Sequence, residues 1–228
     1  MNKRGTLWDI IMIVAVTMVA LTIAMSVQTP LYALLRDTAV PVLLRLGLVG
    51  AFQFGIAGLG ITLVALFRKE SFLKHGLTKT NLLKAVVLSF LCFIPHLIFM
   101  IVTKEASSYL PFQEVMTTKE VLASGFITSV IGMVFTALIW GFFEGFNYVF
   151  ICDKINILLP TKNKYLDWGA LICAGFCILV HGAIGVTLNG LIEMATIVFL
   201  IYGMLVVRKQ TNNAWGCVFV FIFLWNAF

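Results

Sequence analysis

The residue best suited to chemistry in this sequence is a glutamate, Glu144, that lies in a long uncharged stretch. It is the only charged residue between Glu120 and Asp153. Asn147 and Tyr148 follow it by three and four residues, so on a helix all three side chains share one face. An ionisable side chain inside a bilayer costs several kcal/mol, which makes Glu144 a functional-site candidate. The alternative is a protonated glutamate that only forms a hydrogen bond to a neighbouring helix.

Other polar residues also interrupt apolar stretches. We expect His181 in the middle of the next span, where even a neutral imidazole needs a polar partner. Asn226 lies deep in the last span and can either donate a hydrogen bond to a substrate or join two helices. His96 follows Pro95, whose freed backbone carbonyl it could help to satisfy. Glu193 is expected near the external interface in a structural role.

A metal site is the next possibility, because Cys173, Cys177 and His181 recur every fourth residue and form one helical stripe. The first and last of them would lie about 12 Å apart along a helix, whereas zinc ligands lie about 2.0 to 2.3 Å from the ion. A site of Cys177 and His181 with Glu144 is the remaining alternative. We therefore predict no metal and no other cofactor, and we expect all five cysteines to be free thiols.

The elements that carry these residues must be membrane helices. Hydrophobic residues make up 61% of the 228 residues and charged residues only 11%, with a mean hydropathy of +1.04. A soluble domain is about 25% charged and could not cover its surface with so few polar groups. The net charge of +6 is spread between long apolar runs without a basic stripe interleaved with aromatic residues. The expected partner is therefore the lipid bilayer and not nucleic acid.

Uncharged intervals of about 20 residues, the length that crosses a bilayer core of about 30 Å, predict the spans. The interval around Glu144 supplies one span, and four further intervals of this length are 10–35, 46–67, 85–103 and 210–228. The interval from Asp167 to Arg208 would be about 60 Å long as a single helix. We place a turn at Asn189-Gly190, which divides it into spans of roughly 168–187 and 190–207. The prediction is an all-α polytopic membrane protein of about seven transmembrane helices, with residues 1–228 forming a single domain.

The distribution of lysine and arginine predicts the orientation of these helices, since cytoplasmic loops are enriched in both. If the N-terminus is cytoplasmic, twelve of the sixteen basic residues lie on the cytoplasmic side. These are Lys3, Arg4, Arg68, Lys69, Lys74, Lys79, Lys84, Lys154, Lys162, Lys164, Arg208 and Lys209. The apolar run from Ile10 is too long for a signal peptide and has no clear cleavage site after it. We expect a multi-pass protein of the cell membrane with its N-terminus inside and its C-terminus outside.

The order of these residues resembles the CAAX-processing and bacteriocin-processing family of intramembrane glutamic endopeptidases. That family carries a Glu-Glu-x-x-x-Arg motif, then Phe-x-x-x-His, then His-x-x-x-Asn near the C-terminus. The resemblance covers roughly residues 120–228, which would form the family-like core. Glu144 matches the first glutamate, His181 the histidine of the second motif, and Asn226 the terminal asparagine.

Four motif positions differ from the family pattern. Gly145 stands in place of the second glutamate and Val149 in place of the arginine. Cys177 replaces the phenylalanine of the second motif, and Ile222 replaces the histidine of the third. Three of the seven polar or aromatic motif positions are therefore kept.

The resemblance implies a protease that hydrolyses a peptide bond of a membrane-associated peptide or protein near the cytoplasmic face. Glu144 would activate a water molecule as general base, His181 would orient the water or transfer a proton, and Asn226 would donate to the oxyanion. Asn147 and Tyr148 would support the site.

Two other functions are open. The chain could be a catalytically inactive relative that acts as a membrane binding or assembly subunit or as a carrier of a small solute. A proton-coupled transporter that uses Glu144 ranks last, because such proteins usually contain repeated halves and the sequence shows none.

Overall fold

A computed structural model describes residues 2–106, 108–182 and 186–228, and all regular structure in these ranges is helical. The helices are α1 Lys3–Ser26, α2 Gln28–Arg36, α3 Val42–Arg68, α4 Leu82–Val102, α5 Thr118–Ala123, α6 Phe126–Leu158, α7 Trp168–His181, α8 Leu188–Thr211 and α9 Trp215–Trp225. Five of them are long and apolar enough to cross a membrane, namely α1, α3, α4, α6 and α8, while α7 and α9 are apolar but shorter. The described part of the chain is thus all-helical, with five candidate membrane spans.

The turn between α7 and α8 does not lie at Asn189-Gly190, so that prediction was wrong. Helix α7 ends at His181, and Gly182 follows with a φ of +64°, a conformation that glycine adopts without a Cβ clash. Helix α8 begins at Leu188, and the Thr187 hydroxyl accepts a hydrogen bond of 3.2 Å from the backbone N–H of Gly190. Residues 183–185 of the predicted span lie outside the described residues. His181 is therefore the last residue of its helix and not the middle of a span.

Helix α6 occupies the centre of the bundle. Helices α1 and α7 pack against the half of α6 that follows Glu144, and α9 packs between α6 and α4. Helix α8 packs on α4 and α7. Phe146, Val149 and Phe150 of α6 are fully buried in the core that these helices form.

One end of the bundle joins the start of α1, the segment between α3 and α4, and the C-terminal ends of α6 and α8. Arg68 donates a hydrogen bond of 2.7 Å to Asp9, and the Asn81 side chain donates one of 3.0 Å to the carbonyl of Thr211. The segment between α6 and α7 also lies at this end, because Lys209 of α8 donates a hydrogen bond of 3.2 Å to the carbonyl of Asn163. All twelve basic residues that are expected on the cytoplasmic side belong to these segments or to the first turn of α4.

The other end joins the segment between α4 and α5 to the C-terminal residues. The backbone N–H of Leu110 donates to the carbonyl of Ala227 at 2.9 Å. Arg45, which is buried, pairs with Glu120 and donates to the carbonyl of Leu35 at 2.8 Å. The start of α1 and the C-terminal residues therefore lie at opposite ends of the bundle.

Candidate functional site

The carboxylate of Glu144 contacts polar groups from two other helices. The Gln53 side-chain N–H of α3 donates a hydrogen bond of 2.8 Å to Oε2. On the other side, His181 Nε2 of α7 lies 3.6 Å from Oε1, which is longer than a direct hydrogen bond. The Glu144 side chain is 6% exposed and the His181 side chain 38% exposed. Glu144 therefore lies deep in the site and His181 closer to its mouth.

Both residues face a cavity of about 220 Å³ that is lined by α1, α3, α6 and α7. This volume is large enough for several water molecules. The polar side chains on its wall are Thr17, Gln53, Glu144, Asn147, Tyr148 and His181. The rest of the wall is apolar apart from one cysteine, Cys173. The cavity thus combines one buried carboxylate with a largely apolar surface.

Of the residues predicted for the site, Glu144, His181, Asn147 and Tyr148 all lie on the wall of this cavity. Asn226 does not line it. The Asn226 carbonyl accepts a hydrogen bond of 3.2 Å from the Glu114 backbone N–H, and its Nδ2 is buried without a hydrogen-bond partner among the described residues. Asn226 is therefore next to the site through its neighbour in the chain and not through its side chain.

That neighbour, Trp225, packs against two histidines. Its ring lies 5.5 Å from the ring of His181 in an edge-to-face arrangement and 5.9 Å from the ring of His96 in a stacked one. His96 Nδ1 in turn forms a hydrogen bond of 3.0 Å with the Thr196 hydroxyl of α8. His96 thus has its polar partner on α8 and not at the backbone carbonyl freed by Pro95, and Trp225 holds the His181 ring from one side.

Three π-helical turns lie directly beside the polar residues of the site. One, Gly55–Leu59, follows Gln53 by two residues; a second, Ala137–Phe143, ends immediately before Glu144; the third, Phe221–Trp225, contains Trp225. They also pack together, since a Cβ on Gly58 would lie 2.9 Å from Phe143 and one on Gly141 would lie 2.3 Å from Ile222. Single π turns inside α-helices are frequent at functional sites. This backbone feature marks the same place as the carboxylate.

Three of the motif positions that differ from the family pattern are used for packing. A Cβ on Gly145 would lie 3.0 Å from the carbonyl oxygen of Cys217 and from the Cα of Val218, so a glutamate side chain does not fit there. Val149 is fully buried, and Ile222 fills the space above Gly141. Helix α9 therefore lies directly on α6 at the positions where the family has polar groups.

Gln53 is the member of the site for which the sequence carries no local signal. It is uncharged, it lies 91 residues from Glu144, and no spacing rule connects residues on separate helices. Its only sequence signal is an amide in the middle of the uncharged interval 46–67. A survey of all polar groups inside predicted spans, and not only of ionisable ones, would have identified it.

The candidate metal ligands among the described residues are dispersed. Among the described residues, no group of three or more histidine, cysteine, aspartate or glutamate side chains could hold a metal ion. Cys173 and Cys177 are buried, and all five cysteines are free thiols. The polar groups that the described residues place on the cavity wall are a carboxylate, an imidazole, two amides, two hydroxyls and a thiol.

A second polar arrangement, which we call the ionic cluster, holds one end of the bundle together. Lys154 Nζ lies 2.5 Å from Glu70 and 3.3 Å from Asp9. Elsewhere in the ionic cluster, His75 pairs with Asp153 at 2.7 Å, and Arg208 forms two hydrogen bonds with the same carboxylate. Arg68 belongs to the ionic cluster through its pair with Asp9. The members are Asp9, Arg68, Glu70, His75, Asp153, Lys154 and Arg208.

The ionic cluster changes the acidity of its glutamate. Burial by itself raises the pKa of Glu70, but the hydrogen bond and positive charge of Lys154, with a smaller effect of His75, outweigh burial. The pKa of Glu70 therefore lies below its ordinary value of 4.5. Glu70 is ionised at neutral pH and attracts the buried lysine.

Comparison with known proteins adds no family: neither protein-family patterns, nor curated proteins, nor solved structures match this chain.

Proposed function

We propose that this protein is an intramembrane protease of the glutamic type, which hydrolyses peptide bonds of a membrane-associated peptide or protein. One observation carries the proposal: Glu144 and His181 come from different helices and face one cavity, with their reactive atoms 3.6 Å apart. The Gln53 side chain donates a hydrogen bond to the other carboxylate oxygen, Oε2. This leaves Oε1 directed towards the histidine and the cavity.

In the proposed reaction Oε1 of Glu144 takes a proton from a water molecule, whose oxygen attacks the peptide carbonyl carbon. General base catalysis of this kind contributes about 10²- to 10⁴-fold to the rate. When the C–N bond breaks, the proton held by Glu144 passes to the leaving amine through His181 at the mouth of the cavity, and both side chains return to their starting protonation states. Neither a metal ion nor a covalent intermediate takes part.

The developing oxyanion needs a hydrogen-bond donor, and removal of one such donor costs about 2.7 to 4 kcal/mol in a well-studied hydrolase. Asn147 lies on the cavity wall one helical turn from Glu144, whereas Asn226 does not line the cavity. We therefore assign the donor role to Asn147.

The proposal includes the finer topology. Helices α7 and α9, although short, complete a set of seven spans with the five long ones, and the end that carries the start of α1 faces the cytoplasm. The excess of basic residues at this end supports that orientation. The protein would then be a multi-pass protein of the cell membrane.

The second candidate is a catalytically inactive relative that binds a membrane partner or carries a small solute. It is favoured by the mostly apolar wall of the cavity and by the packing of α9 at motif positions that are polar in the family. Under this candidate Glu144 is a binding or structural acid.

The test is hydrolysis in H₂¹⁸O by the full-length protein in proteoliposomes, with membranes of the expression host as the pool of substrates. Wild-type protein should produce new C-termini that carry one ¹⁸O, as detected by mass spectrometry. Glu144→Gln should lower their yield about 100-fold or more at an unchanged melting temperature. Glu193→Gln, the same substitution elsewhere in a span, is the matched control and should cleave normally.

Cleavage by Glu144→Gln at the wild-type rate would refute the proposal. If the wild-type protein generates no labelled termini in any membrane pool, the proposed protease function is also refuted. The inactive candidate then predicts that a partner co-purifies with the wild-type protein and that it is lost in Glu144→Gln.

A further inference from the structure

The charge of the protein is concentrated at one end of the bundle. The end that contains the ionic cluster carries twelve basic and four acidic residues, while the opposite end carries four of each. The remaining two acids, Glu144 and Glu193, lie inside the spans. One end is therefore strongly positive and the other has no net charge.

The four acidic residues at the positive end offset only the four basic residues with which they form ion pairs. Asp9 pairs with Arg68 and Lys154, Glu70 with Lys154, Asp153 with Arg208, and Asp167 with Lys209. The eight other basic residues are all exposed, and none forms an ion pair among the described residues. We call them the basic rim: Lys3, Arg4, Lys69, Lys74, Lys79, Lys84, Lys162 and Lys164.

Exposed apolar side chains stand directly beside the members of this rim. Leu73 precedes Lys74 on a 3₁₀ turn, Phe72–His75, and Leu83 precedes Lys84 in the first turn of α4. Leu73 and Leu83 are 70% and 76% exposed. The other exposed apolar neighbours are Trp8, Phe67, Tyr165 and Trp168.

This mixture identifies the kind of partner. A nucleic acid would use the lysines through its phosphates, but it would leave leucine and phenylalanine side chains in water. An anionic bilayer surface accommodates both the basic and the apolar side chains. Apolar side chains enter the acyl boundary, and tryptophan and tyrosine favour the interface. Lysines then lie at the level of the headgroups.

We propose that the basic rim is a binding surface for the anionic phospholipid headgroups of the leaflet around this end of the protein. Each lysine next to an anionic leaflet strengthens the association of the protein with that leaflet about fivefold. The proposal does not depend on catalysis at Glu144.

The experiment measures the association of spin-labelled phosphatidylglycerol, relative to spin-labelled phosphatidylcholine, with the full-length protein in phosphatidylcholine vesicles. We expect wild-type protein to prefer phosphatidylglycerol several-fold. The preference should approach one at about 1 M salt, where the Debye length falls to about 3 Å. The salt measurement uses only the wild-type chain and so does not depend on the folding of a variant.

The variant Lys69→Gln/Lys74→Gln/Lys79→Gln/Lys84→Gln should lose most of this several-fold preference and approach a ratio of one. The control variant Lys104→Gln/Lys119→Gln, at the opposite end, should keep the wild-type preference. Equal association of the two lipids with wild-type protein would overturn the proposal. So would a preference that is unaffected by salt, or one that both variants lose equally.

Discussion

Lys154 of the ionic cluster offers a test that needs no knowledge of a substrate. Its side chain is fully buried, and Nζ contacts Glu70 at 2.5 Å and Asp9 at 3.3 Å. It therefore joins α6 to α1 and to the segment that follows α3. The substitution Lys154→Met keeps a side chain of similar length and removes only the charge and its hydrogen bonds.

The cost of this substitution follows from the burial of the pair. Removing one partner of a buried ion pair leaves the other charge uncompensated and costs about 3 to 5 kcal/mol. In proteins of 150 to 250 residues, 1 kcal/mol corresponds to a change in melting temperature of about 2 to 4 °C. The expected decrease for Lys154→Met is therefore about 6 to 20 °C.

The assay is thermal unfolding of purified protein in one detergent, followed by intrinsic fluorescence and by the loss of the monodisperse peak in size-exclusion chromatography. Lys164→Met is the matched control, since Lys164 is exposed and surface substitutions usually change stability by less than about 0.5 kcal/mol. If the melting temperature of Lys154→Met equals that of the control, the ionic cluster does not stabilise the bundle and the reasoning is wrong.

The pKa of Glu70 adds a pH dependence with a definite sign. Because its pKa is lowered in the folded protein from the ordinary value of 4.5, its ionised form contributes stability that is fully present above that value. This contribution is lost as the pH falls through the lower folded pKa. The difference in melting temperature between wild type and Lys154→Met should therefore narrow below the ordinary pKa of 4.5. A difference that stays constant from pH 7 to below the folded pKa would contradict the assignment.

Two further predictions concern the cavity. Gln53→Leu removes the hydrogen bond to Oε2 of Glu144. Since hydrogen bonds to charged groups are worth about 1.5 to 3 kcal/mol, kcat/KM in the ¹⁸O assay should fall about 10- to 150-fold. An unchanged kcat/KM would show that Gln53 does not position the carboxylate. Gly145→Glu introduces the second glutamate of the family motif, but a Cβ at this position would lie 3.0 Å from the carbonyl oxygen of Cys217. This overpacking should destabilise the protein by about 1 to 3 kcal/mol or more, without faster cleavage. A stable and more active variant would contradict this packing.

The five long candidate spans were predictable because charged residues are largely excluded from the bilayer core, which leaves long uncharged intervals in the sequence. The turn between α7 and α8 was not, because Asn-Gly is compatible with the first turn of a helix as well as with a loop. Thr187 caps α8 before this dipeptide, and Gly182 ends α7 after His181. Both signals are in the sequence, but only their combination locates the turn.

The candidate site was predictable in part for a related reason. Glu144 is conspicuous in an apolar stretch, and the helical spacing of Asn147 and Tyr148 places them on the same cavity wall. The contact with Gln53 joins helices that are distant in the chain, and no local pattern reveals it. The π turns are equally hidden, because a change from α to π geometry depends on packing at glycines such as Gly141.

The division of α6 into a stabilising end and a reactive centre bears on how the variants should be interpreted. Lys154 and Glu144 are ten residues apart, which is about 15 Å along the helix, and no residue of the ionic cluster lines the cavity. Among the described residues, the ion pairs at that end join α1, α6 and α8 without using the carboxylate of Glu144. Since variants this far apart with no shared partner act independently, a loss of cleavage in Glu144→Gln at normal stability reports on chemistry, and a loss of stability in Lys154→Met reports on the bundle.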